Sequence, residues 1–325
     1  MSVEDAGAAA LAGPGADADG RRRWAEARVA MEKARAKITP DGPHRHRDWP
    51  LFRTSMRVGW LVLRVTQLHR LGMRNALKIG LVRHEVALPG LPPAFDGYTI
   101  LHITDPHIDS LDGLAELIAG LVEGLEVDLC ALTGDYRRRV RGPHAQILPG
   151  MRRVVEAVEA RDGILGVLGN HDCAAMVPDF EDLGIRMLVN ETVTVTRGGD
   201  AIHLSGVDDV HYYYTPEVRG TFEAAPEGLR IALIHSPEAA DLAAEAGYAF
   251  YLTGHTHGGQ VALPGGRPIL THLTRHRAYA RGFWRHRAMV GYTSTGAGCS
   301  VLPVRFNTRG EVTLFTLRRA AEGLP

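Results

Sequence analysis

Seven side chains that can bind metal ions lie along the chain in short polar blocks. Each block follows an apolar, strand-like run, and the seven residues are Asp105, His107, Asp135, Asn170, His235, His255 and His257. Carboxylate, amide and imidazole groups are the oxygen and nitrogen donors that a pair of divalent ions needs. The blocks therefore predict a two-metal hydrolase.

Two of the blocks place a pair of donors two residues apart. Pro106 stiffens the turn between Asp105 and His107, and the glycines next to His255 and His257 allow close approach of the backbone. A single pair of this kind is more often a surface turn or a core histidine than a metal site. Five blocks in this order, each after an apolar strand, favour a metal centre.

The elements that must position these blocks alternate between strands and helices. The pattern predicts strands at 98–104, 127–133, 164–168, 229–234 and 249–253, with helices at 111–124, 147–161, 178–183 and 237–246. A hairpin follows at 192–196 and 202–207, and later strands are expected at 288–294 and 312–317. This order predicts an α/β fold in which two mixed β-sheets pack as a sandwich with flanking helices. Donors after parallel strands then meet at one edge.

In combination the blocks resemble the calcineurin-like metallophosphoesterase superfamily over residues 98–317. The resemblance implies two divalent ions, Mn²⁺, Fe²⁺ or Zn²⁺, with Asp135 shared between them. One ion would be held by Asp105, His107, Asp135 and His257, and the other by Asp135, Asn170, His235 and His255. It also implies that His171 protonates the leaving oxygen of a phosphoester or neutralises its charge.

The block around Asp135 departs from the pattern of many relatives. Arg138 stands where those relatives carry a second carboxylate, so Asp172 is the alternative candidate for orienting His171. We predict that Arg137 and Arg138 bind the phosphate or diphosphate of the substrate, since guanidinium groups pair with phosphate in bidentate fashion. A solvated basic loop is the alternative for this segment.

Further motifs are similar to those of bacterial membrane-associated phosphodiesterases, a group that includes UDP-2,3-diacylglucosamine diphosphatases. They are residues 254–260, 206–209, 294–298 and 302–305. The resemblance implies a phosphodiesterase or pyrophosphatase that acts on a lipid-linked or membrane-proximal substrate.

The pattern of side chains at 49–88 predicts a basic amphipathic helical segment before the catalytic domain. From Arg53 to Arg83, both included, there are seven Lys and Arg residues and no acidic one, interleaved with Trp60 and many aliphatic residues. The recurring charges exclude a membrane span and favour a helix lying on an anionic membrane surface. Packing on the catalytic domain, or a dimer contact, is the alternative.

The composition sets the remaining expectations. Basic and acidic residues number 37 each, which gives no general attraction to nucleic acid, and three scattered cysteines indicate a reducing compartment. We expect a cytoplasmic protein, peripheral on the inner face of the cell membrane. Residues 1–48 are expected to be disordered or weakly ordered, apart from a short exposed helix at 21–37, and residues 94–320 should form the catalytic domain. The oligomeric state stays open.

Two other functions compete with this interpretation. One is a soluble phosphodiesterase for nucleotides or nucleic acid, in which the basic segment would be structural. The other is an inactive scaffold that retains the fold for binding partners. The complete set of metal donors argues against the scaffold, because loss of function would predict loss of at least one of Asp135, Asn170 and His235.

Overall fold

The computed structural model of the chain describes residues 18–35, 37–43 and 50–320. Within these ranges eight α-helices form, in chain order α1 Ala18–Ala34, α2 Pro50–Val65, α3 Leu68–Ala76, α4 Leu114–Val122, α5 Leu148–Glu156, α6 Met176–Glu181, α7 Glu217–Glu223 and α8 Ala240–Glu245. The strands are β1 Ile38–Thr39, β2 Gly42–Pro43, β3 Ile79–Leu88, β4 Thr99–Ile103, β5 Glu126–Val127, β6 Leu129–Leu132, β7 Glu159–Ala160, β8 Ile164–Gly166, β9 Ile185–Met187, β10 Glu191–Arg197, β11 Asp200–Gly206, β12 Leu229–Leu233, β13 Phe250–Thr253, β14 Gly282–His286, β15 Met289–Thr293 and β16 Gly310–Arg319.

Two six-stranded sheets form the centre of the molecule. The first has the order β3-β16-β4-β6-β8-β9, and the second has the order β10-β11-β12-β13-β15-β14. In the first sheet β16 runs antiparallel to β4, and in the second the outer pairs β10–β11 and β14–β15 are antiparallel. All other pairs in these two sheets are parallel.

The core consists of three apolar layers. One lies between the sheets and includes Ile100, Leu165, Phe250 and Phe315, all essentially inaccessible to solvent. A second layer packs α4, α5 and α6 on the outer face of the first sheet, and a third packs α7 and α8 on the outer face of the second. This arrangement confirms the predicted α/β sandwich of two mixed sheets with flanking helices.

The segment before the catalytic domain differs from the prediction at its second half. The helices α2 and α3 end at Ala76, and residues 79–88 form β3, which pairs with β16 over ten residues. Val86 and Leu88 of this strand are buried between the sheets. The helical interpretation of 49–88 was therefore wrong for β3, because its strand partner lies more than 200 residues away and leaves no local signal.

A short exposed helix was predicted at 21–37, and α1 forms at Ala18–Ala34, but it is not simply exposed. It packs on the catalytic domain, where the Arg21 guanidinium pairs with Glu181 and Glu191 and the Arg28 side chain is wholly buried. Residues 1–17, 36 and 44–48 of the predicted extension, and residue 49 of the next segment, lie outside the described residues. No helix of the described residues is both long and apolar enough to cross a membrane.

Candidate dinuclear metal centre

The predicted metal donors come together in loops that begin at the carboxyl ends of parallel strands. These loops follow β4, β6, β8, β12 and β13 and carry Asp105, His107, Asp135, Asn170, His235, His255 and His257, all of them buried. Five of the seven have a left-handed backbone: Asp105 (φ 48°), His107 (φ 36°), Asp135 (φ 58°), His255 (φ 70°) and His257 (φ 51°). Strained backbone of this kind is held in place by surrounding structure and concentrates at functional sites.

Close packing between the loops depends on glycine at two positions. A Cβ at Gly254 would overlap the carboxylate of Asp105, and one at Gly169 would overlap the carboxylate of Asp135. The sequence therefore leaves space for the donors themselves, and any larger residue would displace a carboxylate.

The first group of donors surrounds the carboxylate of Asp105. His257 Nε2 lies 3.3 Å from Asp105 Oδ1 and 3.1 Å from His107 Nε2. His107 Nε2 is in turn 3.6 Å from Asp135 Oδ2. Imidazole and carboxylate donors at these separations can face a single divalent ion.

The second group of donors shares Asp135 with the first. His235 Nε2 lies 3.3 Å from Asp135 Oδ2 and 3.2 Å from Asn170 Oδ1, and His255 Nδ1 lies 2.8 Å from the same Asn170 oxygen. The Asp135 Oδ2 atom thus stands between the two groups. This is the position of a carboxylate that bridges two ions.

The hydrogen bonds of two histidines show that the site fits cations. His107 Nδ1 donates to the Arg137 carbonyl at 2.8 Å and His235 Nδ1 donates to the Thr133 carbonyl at 2.8 Å. Because a neutral imidazole carries one N–H, the Nε2 atom of each ring presents a lone pair to the carboxylates. Between such an Nε2 atom and an anionic oxygen lies either a metal ion or, without one, a proton on Nε2.

The pKa values agree with this arrangement. Burial lowers the pKa of His107 to about 3 and lowers the pKa values of His255 and His257 well below their usual range, which favours the neutral ligand form. Burial also acts to lower the pKa of His235, but attraction to Asp135 outweighs it and raises the pKa well above the usual value. The pocket next to Asp135 therefore favours positive charge.

His171 lies beside the metal donors and reaches the solvent side of the site. Its Nδ1 atom donates to the Arg138 carbonyl at 2.6 Å, and its Nε2 atom lies 3.9 Å from Asp135 Oδ2. The backbone N–H of His171 donates to Asp135 Oδ1 at 2.8 Å. The ring is therefore oriented with Nε2 toward the centre.

The group that orients His171 is a carbonyl, so the suggested role of Asp172 was wrong. The Asp172 carboxylate accepts three backbone N–H bonds, from Asp135 at 2.7 Å, Gly169 at 2.8 Å and Tyr136 at 3.0 Å. It joins the loop of Asp135 to the loop of Asn170 and fixes their separation. Arg138 contributes to the site through its backbone.

The Arg137 side chain does not project toward a substrate, contrary to the prediction. It is 2 % exposed, and its guanidinium donates to the carbonyls of His171 (2.7 Å), Gly142 (2.6 Å) and Val140 (3.0 Å). These bonds occupy the planar fork that a phosphate would need. The member of this basic loop that lines the open cavity is Arg141.

Arg28 of α1 supports the loop that carries Asn170 and His171, a role that was not predicted from the sequence. Its guanidinium pairs with Asp208 and donates to the Asp172 carbonyl at 3.0 Å. Glu32, one helical turn further, accepts the backbone N–H of Ala174 at 2.9 Å. A buried arginine on a mostly polar helix has no periodic apolar pattern that could have revealed it.

A second buried arginine holds the late glycine-rich loop against the site. The Arg305 guanidinium donates to the carbonyls of Thr295 (2.7 Å), Gly296 (2.9 Å) and Gly298 (2.7 Å). The backbone N–H of Gly298 donates to the Asp105 carbonyl at 2.8 Å. Residues 294–298 and 302–305 had been identified only by their resemblance to motifs of membrane-associated phosphodiesterases, which does not indicate that Arg305 is buried.

His211 forms a further buried group beside the second set of donors. Its ring centroid is 4.2 Å from that of His255, and its Nδ1 atom lies 2.5 Å from Glu238 Oε2. Tyr212, one of three adjacent tyrosines, stacks on His211 and lines the cavity in front of the site.

A cavity of about 1040 Å³ opens onto the donors. Its floor includes Asp135, Asn170 and His171, and its rim includes the apolar residues Met56, Ile269, Leu270, Val301 and Leu302. Arg35, Arg57 and Arg141 add positive charge to the same walls. The cavity is large enough to accept a substrate of drug size or somewhat larger.

Comparisons with known proteins agree with the geometry. The family model of the calcineurin-like phosphoesterases matches residues 98–259. The chain is 29% identical over 235 residues to the uncharacterized metallophosphoesterase YkoQ of Bacillus subtilis, covering 68% of this chain and 84% of that protein. It is 24% identical over 247 residues to the phosphodiesterase YaeI of Escherichia coli, covering 73% and 87%.

Among solved structures, a phosphopantetheinyl hydrolase of Mycobacterium tuberculosis aligns with 71% of this chain and 99% of its own, at 10% identity and a TM-score of 0.42. The family match spans the strand ends where the donors meet. The chain belongs to the calcineurin-like metallophosphoesterase superfamily and is a metal-dependent phosphoester hydrolase.

Proposed function

We propose that this hydrolase cleaves a phosphodiester or diphosphate in an amphiphilic substrate that is lipid-linked or membrane-proximal. The observation that carries the proposal is the position of the metal donors at the floor of a cavity whose rim is apolar and basic. A phosphate group would meet the floor, and an acyl chain would meet the rim.

The donors divide into two sets in this proposal. Asp105, His107, Asp135 and His257 hold one ion, and Asp135, Asn170, His235 and His255 hold the other. When bound, the ions supply charge neutralisation for the phosphoryl group and an activated water for attack on phosphorus. Mn²⁺, Fe²⁺ and Zn²⁺ all suit mixed histidine and carboxylate sites.

His171 acts on the leaving oxygen. Its Nδ1–H is committed to the Arg138 carbonyl, so the proton delivered to the leaving group comes from Nε2. The backbone contact with Asp135 keeps the ring beside the donors while the side chain stays open to the cavity. This places a proton donor on the side from which substrate enters.

The surface around the cavity supports a lipid-linked substrate. Among the described residues twelve large apolar side chains are exposed, and six of them lie at 58–71, on α2 and at the start of α3. Four more lie in the loops at 263–301, of which Ile269, Leu270 and Val301 line the cavity. Exposed apolar surface gathered in this way marks an interaction site.

The helices α2 and α3 connect this surface to the catalytic domain. The Gly72 carbonyl of α3 accepts the backbone N–H of Arg305 at 3.0 Å, and Ala76 is buried in the core. Thr54, Met56 and Arg57 of α2 line the cavity. Basic residues and exposed leucine and valine side chains on one helix suit an anionic membrane interface.

Vesicle binding tests the membrane part of the proposal. We expect the full-length chain to sediment with vesicles of phosphatidylcholine and phosphatidylglycerol, and to bind phosphatidylcholine alone more weakly. Leu61→Asp combined with Val65→Asp should weaken binding, whereas Leu117→Asp, at an exposed position on α4, should not. The membrane part of the proposal is contradicted if both variants bind the anionic vesicles equally well, or if the wild type does not bind them.

A matched pair of substrates tests the amphiphilic part. A diacylated UDP-glucosamine and the corresponding soluble UDP-N-acetylglucosamine present the same diphosphate with and without acyl chains. The proposal predicts a lower KM for the acylated compound, and loss of that preference in Leu270→Asp. Equal kcat/KM for the two compounds would favour a soluble nucleotide substrate instead.

A further inference from the structure

A third group of metal-binding side chains lies away from the dinuclear centre. Asp241 of α8, His276 before β14 and His286 at the end of β14 converge, with His276 Nε2 at 3.2 Å from Asp241 Oδ2 and His286 Nε2 at 3.0 Å from Asp241 Oδ1. A tetrahedral zinc ion with ligands at about 2.0–2.1 Å separates its donor atoms by roughly 3.3 Å. The two measured distances are close to that value.

The three side chains are partly open to solvent. Their side-chain exposures are 15 % for His276, 18 % for His286 and 27 % for Asp241. The two imidazole rings are nearly perpendicular, with centroids 5.5 Å apart. Three protein donors with one open side leave room for a water as the fourth ligand of a tetrahedral ion.

The hydrogen-bond partners of His286 allow the tautomer that a metal ligand needs. The Tyr279 hydroxyl donates to the Arg285 carbonyl at 3.3 Å and is 2.9 Å from His286 Nδ1. When the single hydrogen of the hydroxyl is on the Arg285 carbonyl, the hydroxyl oxygen accepts from His286 Nδ1–H, and Nε2 of His286 faces the carboxylate with its lone pair. In that tautomer a positive ion is needed between Nε2 and Asp241; in the other tautomer Nε2–H donates to Asp241.

The surroundings of the other two donors resemble the outer partners of metal sites. The His276 ring stacks on Tyr279 at an interplanar angle of 3°, which fixes the plane of the imidazole. The Arg275 guanidinium contacts Asp241 and also pairs with Asp41 at 3.2 Å. A carboxylate has about four lone-pair sites, so Asp241 can accept from Arg275 and bind an ion as well.

We propose that Asp241, His276 and His286 bind a divalent zinc ion that is distinct from the dinuclear centre. The ion has a structural task, because His276 and His286 flank the segment that follows the cavity rim at Ile269 and Leu270, while Asp241 belongs to α8 in the core. Zinc bound here ties that rim to α8. The alternative is a cluster without a metal ion, in which the imidazole N–H groups donate to Asp241.

The number of zinc ions bound per chain distinguishes a bound zinc ion from a cluster without metal. The full-length chain is equilibrated with Zn²⁺, freed of excess metal, and analysed by plasma mass spectrometry. The proposal predicts three zinc ions per chain for the wild type and two for His286→Ala and His276→Ala. His144→Ala is the matched control, since His144 pairs with a single carboxylate, Asp179, at 2.6 Å, and should keep three.

A variant that lacks two donors of the dinuclear centre tests the third site separately from that centre. In Asp135→Asn/His257→Ala, confirmed as folded by circular dichroism, one zinc ion should remain, and His286→Gln added to it should remove that ion. Hydrolysis of bis-p-nitrophenyl phosphate by His286→Gln alone should be unchanged. Two zinc ions in the wild type, or none in the Asp135→Asn/His257→Ala background, would overturn the proposal.

Discussion

The replacement Arg28→Met tests how far α1 supports the catalytic loop. Asp208 is 2 % exposed and pairs with Arg28, so the variant leaves a buried carboxylate without its counter-ion. Removing one partner of a buried pair costs about 3–5 kcal/mol of the free energy of unfolding. The carbonyl of Asp172 also loses its donor, next to Asn170 and His171.

The effect on turnover follows from that lost support. A displacement of about 1 Å in a catalytic group can lower the rate by about 10²-fold, so we expect a kcat lower by about that factor with little change in KM. Urea denaturation gives the stability, and hydrolysis of bis-p-nitrophenyl phosphate at saturating metal gives kcat and KM.

Two further variants separate the effect of an unpaired Asp208 carboxylate from the effect of the lost contact with the Asp172 carbonyl. Arg28→Met/Asp208→Asn should regain much of the stability, because no buried charge is left unpaired, yet it should stay slow. Arg22→Met, on the exposed side of the same helix, should match the wild type in both measurements. The reasoning fails if Arg28→Met keeps the wild-type kcat, or if Arg22→Met is equally slow.

Four other substitutions have distinct expected outcomes. His171→Ala should keep its metal by plasma mass spectrometry while kcat falls by about 10²–10⁴-fold, and loss of metal would contradict its assigned role. Burial acts to raise the pKa of Glu238, but His211 and the hydrogen bonds from Thr274 lower it to about 2, below the usual 4.5. The pair therefore stabilises the fold above about pH 4.5 by roughly 3 kcal/mol, lost as the pH falls toward 2. Urea denaturation of Glu238→Gln should show a correspondingly flatter acid dependence. Arg137→Ala should lose about 2–4 kcal/mol of the free energy of unfolding, because three carbonyls lose their donor. Arg138→Ala keeps its backbone carbonyl and should lose under about 0.5 kcal/mol. If Arg137→Ala raises KM and leaves the stability unchanged, the substrate role first predicted for Arg137 is restored.

The strands and the metal donors were predictable from local sequence. Each donor block follows an apolar run that does form a strand, as β4 precedes Asp105 and β13 precedes His255. Because these strands are parallel, the blocks meet at the carboxyl-end edge of the sheets, independently of the loop conformations. The positions of the donors are thus set by a periodic pattern, which a single sequence displays.

The supporting residues were not predictable because their partners are distant in the chain. Arg28 contacts Asp208, and β3 pairs with β16 from the other end of the sequence. A basic residue gives no sign of whether it will be buried on carbonyls, like Arg137, or left at a cavity wall, like Arg141. Such choices depend on tertiary packing, which overrides local preference.

The shared carboxylate of Asp135 offers the most direct test of the metal centre. Metal content and hydrolysis of bis-p-nitrophenyl phosphate are measured together, with Mn²⁺ supplied, for the wild type and for Asp135→Asn. We predict two ions per chain at the dinuclear centre and measurable turnover in the wild type, and loss of both in the variant. Undiminished hydrolysis by Asp135→Asn, or by the wild type after a chelator has removed its metal, would contradict a dinuclear metal centre built on Asp135.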